Sequence, residues 1–242
     1  MELIEIRNLC TSFDGVPVLR GVNLTVERGT TVVILGTSGA GKSVLLKSII
    51  GLMTPDAGSI RIDGKQIVGM ESQELYTVRR RMGYLFQGAA LYDSMSVRGN
   101  LEFALRRREA LDEDEMGRRV EEQLRLVGLA DAIDKMPSQL SGGMRKRIGL
   151  ARALITQPEV MLYDEPTTGL DPVTGRDISE LIQSLQQQHA MTSIAVTHDI
   201  ACARIIADSV AMLSKGVICF EGALGAMEHA DDEFVRQFFA TT

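Results

Sequence analysis

The run Gly36-Thr37-Ser38-Gly39-Ala40-Gly41-Lys42-Ser43 constrains this chain more than any other feature. It fits the pattern G-x-x-x-x-G-K-S/T. Glycines let a backbone wrap closely around phosphate groups. Successive N–H groups and the start of a following helix then meet the negative charge. The lysine reaches the outer phosphates, and the serine hydroxyl is placed to ligate Mg²⁺. The pattern demands a buried strand before it and a helix after it. Thr31-Val32-Val33-Ile34-Leu35 is a continuous apolar run, the mark of a strand covered on both faces. A helix is expected from Lys42 to about Ile50, ending at Gly51. Val44, just past the run, joins Gly36 to Ser43 in the candidate nucleotide-contacting set.

The rest of the chain has to complete an α/β sheet around that unit. Ahead of it, Val22, Leu24 and Val26 alternate with polar residues, as in a sheet with one face buried. Ile60 and Ile62 alternate up to Asp63-Gly64, a hairpin signal. Met82 to Phe86 reads as another strand. Residues 90–157 change character and read as helical. There Asp112 can cap a helix with Met116, Val120, Leu124 and Val127 as its apolar stripe. Strands then return at Val160–Tyr163, Ser193–Val196 and a hairpin across Ser214-Lys215-Gly216, with a helix over Asp171–His189.

Val160-Met161-Leu162-Tyr163-Asp164-Glu165 is the matching acidic strand end. Asp164 is placed to hold Mg²⁺ through water, and Glu165 to polarise an attacking water. Together the two motifs specify a P-loop NTPase without saying which. The helical stretch narrows the choice. Leu140-Ser141-Gly142-Gly143-Met144-Arg145-Lys146-Arg147 opens an apolar helix and offers a second anion site just upstream of the acidic strand.

With these motifs in this order, the chain resembles the ABC ATPase family over essentially its whole length. The resemblance implies a single domain over 1–242. Residues 1–88 and 158–242 would form a RecA-like P-loop core with an antiparallel β subdomain. Residues 89–157 would form the helical subdomain. It also implies that Ser141, Gly142 and Gly143 bind the γ-phosphate held by an opposite subunit, so that a homodimer closes around two ATP molecules. Phe13 resembles the aromatic that stacks on adenine. Gln87 resembles the glutamine that senses Mg²⁺ and couples to a membrane partner. Asp171, in Gly169-Leu170-Asp171, resembles the loop that communicates across the dimer. His198 resembles the switch histidine at the γ-phosphate.

Ser-Gly-Gly-Met followed by Arg-Lys-Arg departs from the commoner Leu-Ser-Gly-Gly-Gln. It is similar to the branch serving MCE-type lipid transport, including the Mla phospholipid system. Phe86-Gln87-Gly88-Ala89-Ala90-Leu91-Tyr92-Asp93-Ser94 agrees, as does Phe234-Val235-Arg236-Gln237-Phe238. That branch implies a transmembrane permease, an MCE-domain lipid-binding protein and sometimes a STAS-domain regulator. It places the ATPase at the cytoplasmic face of the inner membrane. Residues 88–103, with Leu91, Tyr92, Met95 and Val97, are the candidate dock for a permease helix.

Composition removes other classes. The net charge of −6 lacks the electrostatic footprint of a duplex-binding protein, so no nucleic-acid partner is expected. Arg79–Arg81 and Arg106–Arg108 read as solvated faces. Three cysteines without a CxxC pair, and three histidines, argue against a disulfide scaffold or a zinc site. No apolar stretch approaches the roughly 20 residues that span a bilayer. The first residues lack the basic and apolar regions of a signal peptide. No Asn-Lys-x-Asp guanine-reading motif is present.

Overall fold

The computed structural model describes residues 1–108 and 110–240. Two sheets organise it. In the first, β1 (Glu2–Phe13) lies between β2 (Val16–Glu27) and β4 (Ala57–Ile62), and β4 folds back onto β5 (Lys65–Gln66) through Asp63-Gly64. All pairings are antiparallel. One face is buried, which is why the apolar residues alternate.

The second sheet runs β10-β9-β3-β8-β7-β6, with β3 (Thr31–Leu35), β6 (Met82–Leu85), β7 (Val160–Asp164), β8 (Thr192–Thr197), β9 (Ser209–Ser214) and β10 (Val217–Gly222). The pairings β6–β7, β7–β8, β8–β3 and β3–β9 are parallel, and β10 is antiparallel to β9. Every residue of β3, β7 and β8 is buried, because both faces of the sheet are covered. Val32 and Ile34 face α1 (Lys42–Ile49) and the antiparallel sheet. Val33 and Leu35 face α6 (Pro172–His189), α7 (Ile200–Ile206) and α8 (Glu233–Ala240). The period of two along a strand divides one apolar run between two cores.

A third core belongs to the helical lobe. There α3 (Val97–Arg106), α4 (Glu113–Leu126) and α5 (Gly142–Leu154) enclose Leu101, Val120, Leu124 and Ile148. Asp112 caps α4, its Oδ1 accepting the Glu115 N–H at 2.8 Å. Met144 packs against this core, so the residue that departs from the commoner motif helps hold the lobe together. Val97 is buried in the same core and Leu91 packs on it, whereas Tyr92 is exposed with its ring edge-on to Phe103. Of the apolar residues in the candidate dock, Val97 is therefore internal packing.

The expectation of solvated arginine faces holds for Arg80, Arg106 and Arg107, which are exposed, and is corrected for Arg79, Arg81 and Arg108, which are half-buried. Arg79 donates to the carbonyls of Ile50 and Gly51 at the end of α1. Arg108 donates to the Met82 carbonyl at 2.9 Å, and Arg81 pairs with Asp63 and Glu159. Carbonyls at helix and strand ends need donors, and Arg79 supplies them at the end of α1 while Arg108 supplies one at β6 from just past the end of α3. Three α-helices escaped sequence reading, α7 among them. α2 (Ser72–Arg79) buries Val78 alone, so its periodicity is faint. α8 carries Phe234, Val235, Phe238 and Phe239 at helical spacing, a signal that could have found it. No described helix is long and apolar enough to cross a membrane.

Candidate functional site

The turn from β3 into α1 needs glycine for two separate reasons. A Cβ on Gly36 would lie 2.5 Å from the Leu213 carbonyl oxygen. Gly41 has φ +102°, a left-handed backbone that other residues rarely adopt. The stem of Lys42 is buried, and its Nζ donates to the carbonyls of Gly36 (2.8 Å) and Thr37 (3.1 Å). The same Nζ is 3.2 Å from Glu165 Oε1. Ser43 Oγ donates to Asp164 Oδ1 at 2.7 Å.

Asp164 is held from its other side as well. Tyr84, on β6, donates to Asp164 Oδ2 at 3.0 Å. Burial first, and then the neighbouring Asp164 charge, push the Tyr84 phenol well up, so it acts as a neutral donor. Sequence reasoning missed Tyr84. No motif spacing links a tyrosine on one strand to an aspartate 80 residues later.

Glu165 follows β7 with φ +48°, left-handed for a non-glycine residue, and is 7% exposed. Its N–H donates to the Val196 carbonyl at 2.9 Å. Its Oε2 lies 2.9 Å from His198 Nδ1 and accepts from Thr168 Oγ1 at 3.0 Å. Lys146, from α5, donates to the Glu165 carbonyl at 2.9 Å and also to the Gln87 carbonyl. Burial pushes the Lys146 ammonium down to about 8, against the attraction of Asp164 and then Glu165.

Of these groups, Lys42, Ser43, Glu165, Thr168 and His198 line one open cleft of about 690 Å³, and Tyr84, Asp164 and Lys146 do not. Thr37, Ser38, Gly39, Gly41, Lys42, Ser43 and Val44 form its floor, and Gln87, Glu165 and His198 stand around it. Ala40 is buried beneath the turn. Phe238 of α8 and Val18 also line the cleft. Phe13 is not among the lining residues; it ends β1, 42% exposed. Phe238 was missed because α8 was.

Ser43, Asp164 and Gln87 offer a hydroxyl, a carboxylate and an amide, hard oxygen donors that suit Mg²⁺. The described residues contain no cluster of three or more His, Cys, Asp or Glu able to hold a metal. A Mg²⁺ bound here would take its remaining ligands from water and nucleotide phosphates, as that ion does.

Ser141, Gly142, Gly143 and Asp171 do not line this cleft. Ser141 caps α5, its Oγ accepting the Met144 N–H at 3.2 Å. Asp171 caps α6, its Oδ1 accepting from Val173 N (3.1 Å) and Thr174 N (3.0 Å). Hydrogen bonds from Thr174, side chain before backbone, hold the Asp171 carboxyl below its ordinary range. The two turns are neighbours. A Cβ on Gly143 would lie 2.6 Å from Thr174 Cγ2, and one on Gly142 would lie 3.4 Å from Leu170 Cδ2.

The free thiol of Cys202 lies on the buried face of α7, where burial raises it to about 12 and makes it a poor nucleophile.

Comparison with known proteins agrees with this geometry. A family model described as ABC transporter matches residues 19–168. A Mycobacterium tuberculosis protein described as a probable ribonucleotide transport ATP-binding protein, mkl, is 43% identical over 97% of this chain. The chain spans 66% of that relative's length. The methionine import ATP-binding protein MetN of Corynebacterium diphtheriae is 37% identical over 99% of this chain and 72% of its own. The chloroplastic protein trigalactosyldiacylglycerol 3 of Arabidopsis thaliana is 37% identical over 98% of this chain and 73% of its own. Among solved structures, an ATP-binding cassette dimer in a post-hydrolysis state with ADP and phosphate superposes with a TM-score of 0.85 at 31% identity. That match covers 91% of this chain and 98% of the other. The cbiO1 protein of Clostridium perfringens, part of the ABC transporter complex cbiONQ, also gives 0.85 at 31% identity, over 98% of this chain and 94% of its own. The chain therefore belongs to the ABC transporter family, as an ATP-binding ATPase cassette with a P-loop NTPase fold.

Proposed function

We propose that two copies of this chain close around two ATP molecules and power a transmembrane permease that moves phospholipid within a bacterial envelope. The observation that carries the dimer is the division of the site. The cleft gathers the P-loop, Gln87, Glu165 and His198, with Asp164 bonded to Ser43, while Ser141, Gly142 and Gly143 lie outside its lining. A second copy, placed head to tail, supplies the missing Ser-Gly-Gly turn to each cleft.

The residues present divide the chemistry. Backbone N–H groups of residues 37–43 bind the phosphates, with the start of α1 behind them. Lys42, now 3.2 Å from Glu165, is in reach of the β- and γ-phosphates. Glu165 accepts the proton of the attacking water, and His198 orients the Glu165 carboxylate. Mg²⁺ held by Ser43, Asp164 and Gln87 would neutralise charge on the β- and γ-phosphates. Phe13, exposed at the end of β1, stacks on adenine, and Asp171 contacts the partner copy.

The lipid assignment rests on the Ser-Gly-Gly-Met signature and on kinship with a relative named for a glycerolipid. It predicts an MCE-domain lipid-binding protein and a STAS-domain regulator as further partners at the cytoplasmic face of the inner membrane. A second reading, another solute, is favoured by the relatives named for methionine and ribonucleotide transport. Affinity purification of the tagged chain from its own envelope in mild detergent, with mass spectrometry of bound proteins and lipids, separates them. A permease, an MCE-domain protein and co-purifying phospholipid support the first. A permease with a solute-binding protein and no lipid carrier overturns it in favour of the second.

A further inference from the structure

Lys146 joins three parts of the fold that the motifs treat separately. It stands on α5, in the helix opened by Ser141, and is 5% exposed. Its ammonium donates to the carbonyl of Gln87, beyond β6, and to the carbonyl of Glu165, beyond β7. It is not among the residues lining the nucleotide cleft. It therefore acts on Gln87 and Glu165 from behind.

The Glu165 contact has a specific consequence. A non-glycine residue keeps a left-handed backbone only where its surroundings over-determine it. At Glu165 both sides of the residue are pinned. The N–H is fixed to the Val196 carbonyl in the central sheet, and the C=O is fixed to Lys146 in the helical lobe. The direction of the Glu165 side chain toward Lys42 and His198 follows from that backbone. Shifting α5 against the sheet pulls on one of the two pins. Removing the ammonium leaves two carbonyls without this donor, at the point where lobe and core meet.

We propose that Lys146 is a positioning residue for hydrolysis: it passes the seating of α5 to Gln87 and Glu165, so that the Glu165 carboxylate is aligned only while the helical lobe is in place. The assignment rests on the ATPase reading of the cleft. Lys146 does not line the cleft, and its effect runs through Glu165.

The test uses the full chain assembled with its membrane partners and measures steady-state ATP turnover in Lys146→Met, Lys146→Gln and Lys146→Arg. A misaligned Glu165 lowers kcat about 10- to 100-fold in Lys146→Met. KM for ATP stays within about threefold, because ground-state binding by the P-loop is untouched. Lys146→Arg, which can still donate to both carbonyls, recovers at least half of the lost log-rate. Wild-type kcat in Lys146→Met overturns the proposal, as does an Arg variant as slow as Met, or a loss confined to KM. If the Met variant does not fold, Lys146→Gln decides: lowered kcat at unchanged KM supports the proposal, and wild-type kcat overturns it. Glu165→Gln runs beside them. Absence of ATP turnover in the wild-type assembly sinks the ATPase reading and Lys146 with it, whereas a fully active Glu165→Gln assigns proton removal to another group and overturns the role of Lys146. An inactive Glu165→Gln beside a normal Lys146→Met sinks Lys146 alone.

Discussion

Gly36–Ser43 and Ser141–Gly143 are both glycine-bearing turns that open a helix, yet they meet different surroundings. The first shares one cleft with a lysine, the Glu165 carboxylate and a histidine, and its Ser43 hydroxyl is bonded to the Asp164 carboxylate. The second meets its own helix through the Ser141 cap and packs beside Leu170 and Thr174. A helix start offers N–H groups and a partial positive charge in either place. What makes the first a reaction site is the set of ionisable groups that the parallel sheet delivers to it. The second does not line that cleft, and in the proposed dimer it acts on a nucleotide held by the other copy.

The sharpest way to break that comparison is Glu165→Gln. Turnover should fall on the order of a thousandfold, with nucleotide binding retained. Phosphate release at saturating ATP measures it, and wild-type release would assign proton removal to another group. Next is Gly143→Val, which drives a side chain into Thr174 Cγ2 from a Cβ only 2.6 Å away. Turnover should drop about a hundredfold, while calorimetry shows unchanged ADP affinity for the isolated chain. A parallel loss of ADP affinity would mean that the two turns are not independent.

The aromatic positions give a smaller effect. Phe13→Ala should weaken nucleotide binding about tenfold by loss of stacking, and Phe238→Ala by less than about threefold, since Phe238 also packs on the core beneath α8. The reverse order would move the adenine to the α8 side of the cleft. Capping separates stability from turnover. Ser141→Ala and Asp112→Ala should each cost about 1 kcal/mol in thermal unfolding, but only Ser141→Ala should slow hydrolysis. Equal turnover in the two variants would reduce Ser141 to a cap.

The smallest effect lies away from both turns. Arg81 holds the Asp63 and Glu159 carboxyls below their ordinary range, by hydrogen bonds first and charge attraction next. A lowered folded value adds stability above the unfolded value, and that stability is lost as pH falls through the folded one. The Tm difference between wild type and Arg81→Met should therefore close between about pH 5 and about pH 3. A difference unchanged across that window would mean that the arginine acts through packing.

Much of the fold was legible because its signals are local. β3, the phosphate loop and α1 follow one another without interruption, and β7 ends directly in Asp164-Glu165. The Asp112 cap and the Asp63-Gly64 hairpin were legible for the same reason: each is decided by a few neighbouring residues. Arg79 and Arg108 misled because charge predicts solvation, and a carbonyl in search of a donor leaves no trace in sequence. α2 was hidden by its single buried residue, since a helix that buries one side chain has no stripe to detect.

The sequence by itself determined the phosphate loop, the acidic strand end, the Ser-Gly-Gly turn and the alternation of sheet and helix, because backbone geometry and side-chain period act over a few residues. Only the tertiary structure decided that Tyr84 steadies Asp164, that Lys146 reaches behind Glu165, that Phe238 stands in the cleft and that the Ser-Gly-Gly turn does not line it. Those placements depend on which strand lies beside which and on how the helical lobe sits against the sheet. Both are settled by the joint burial of three cores, and no segment read alone contains that information.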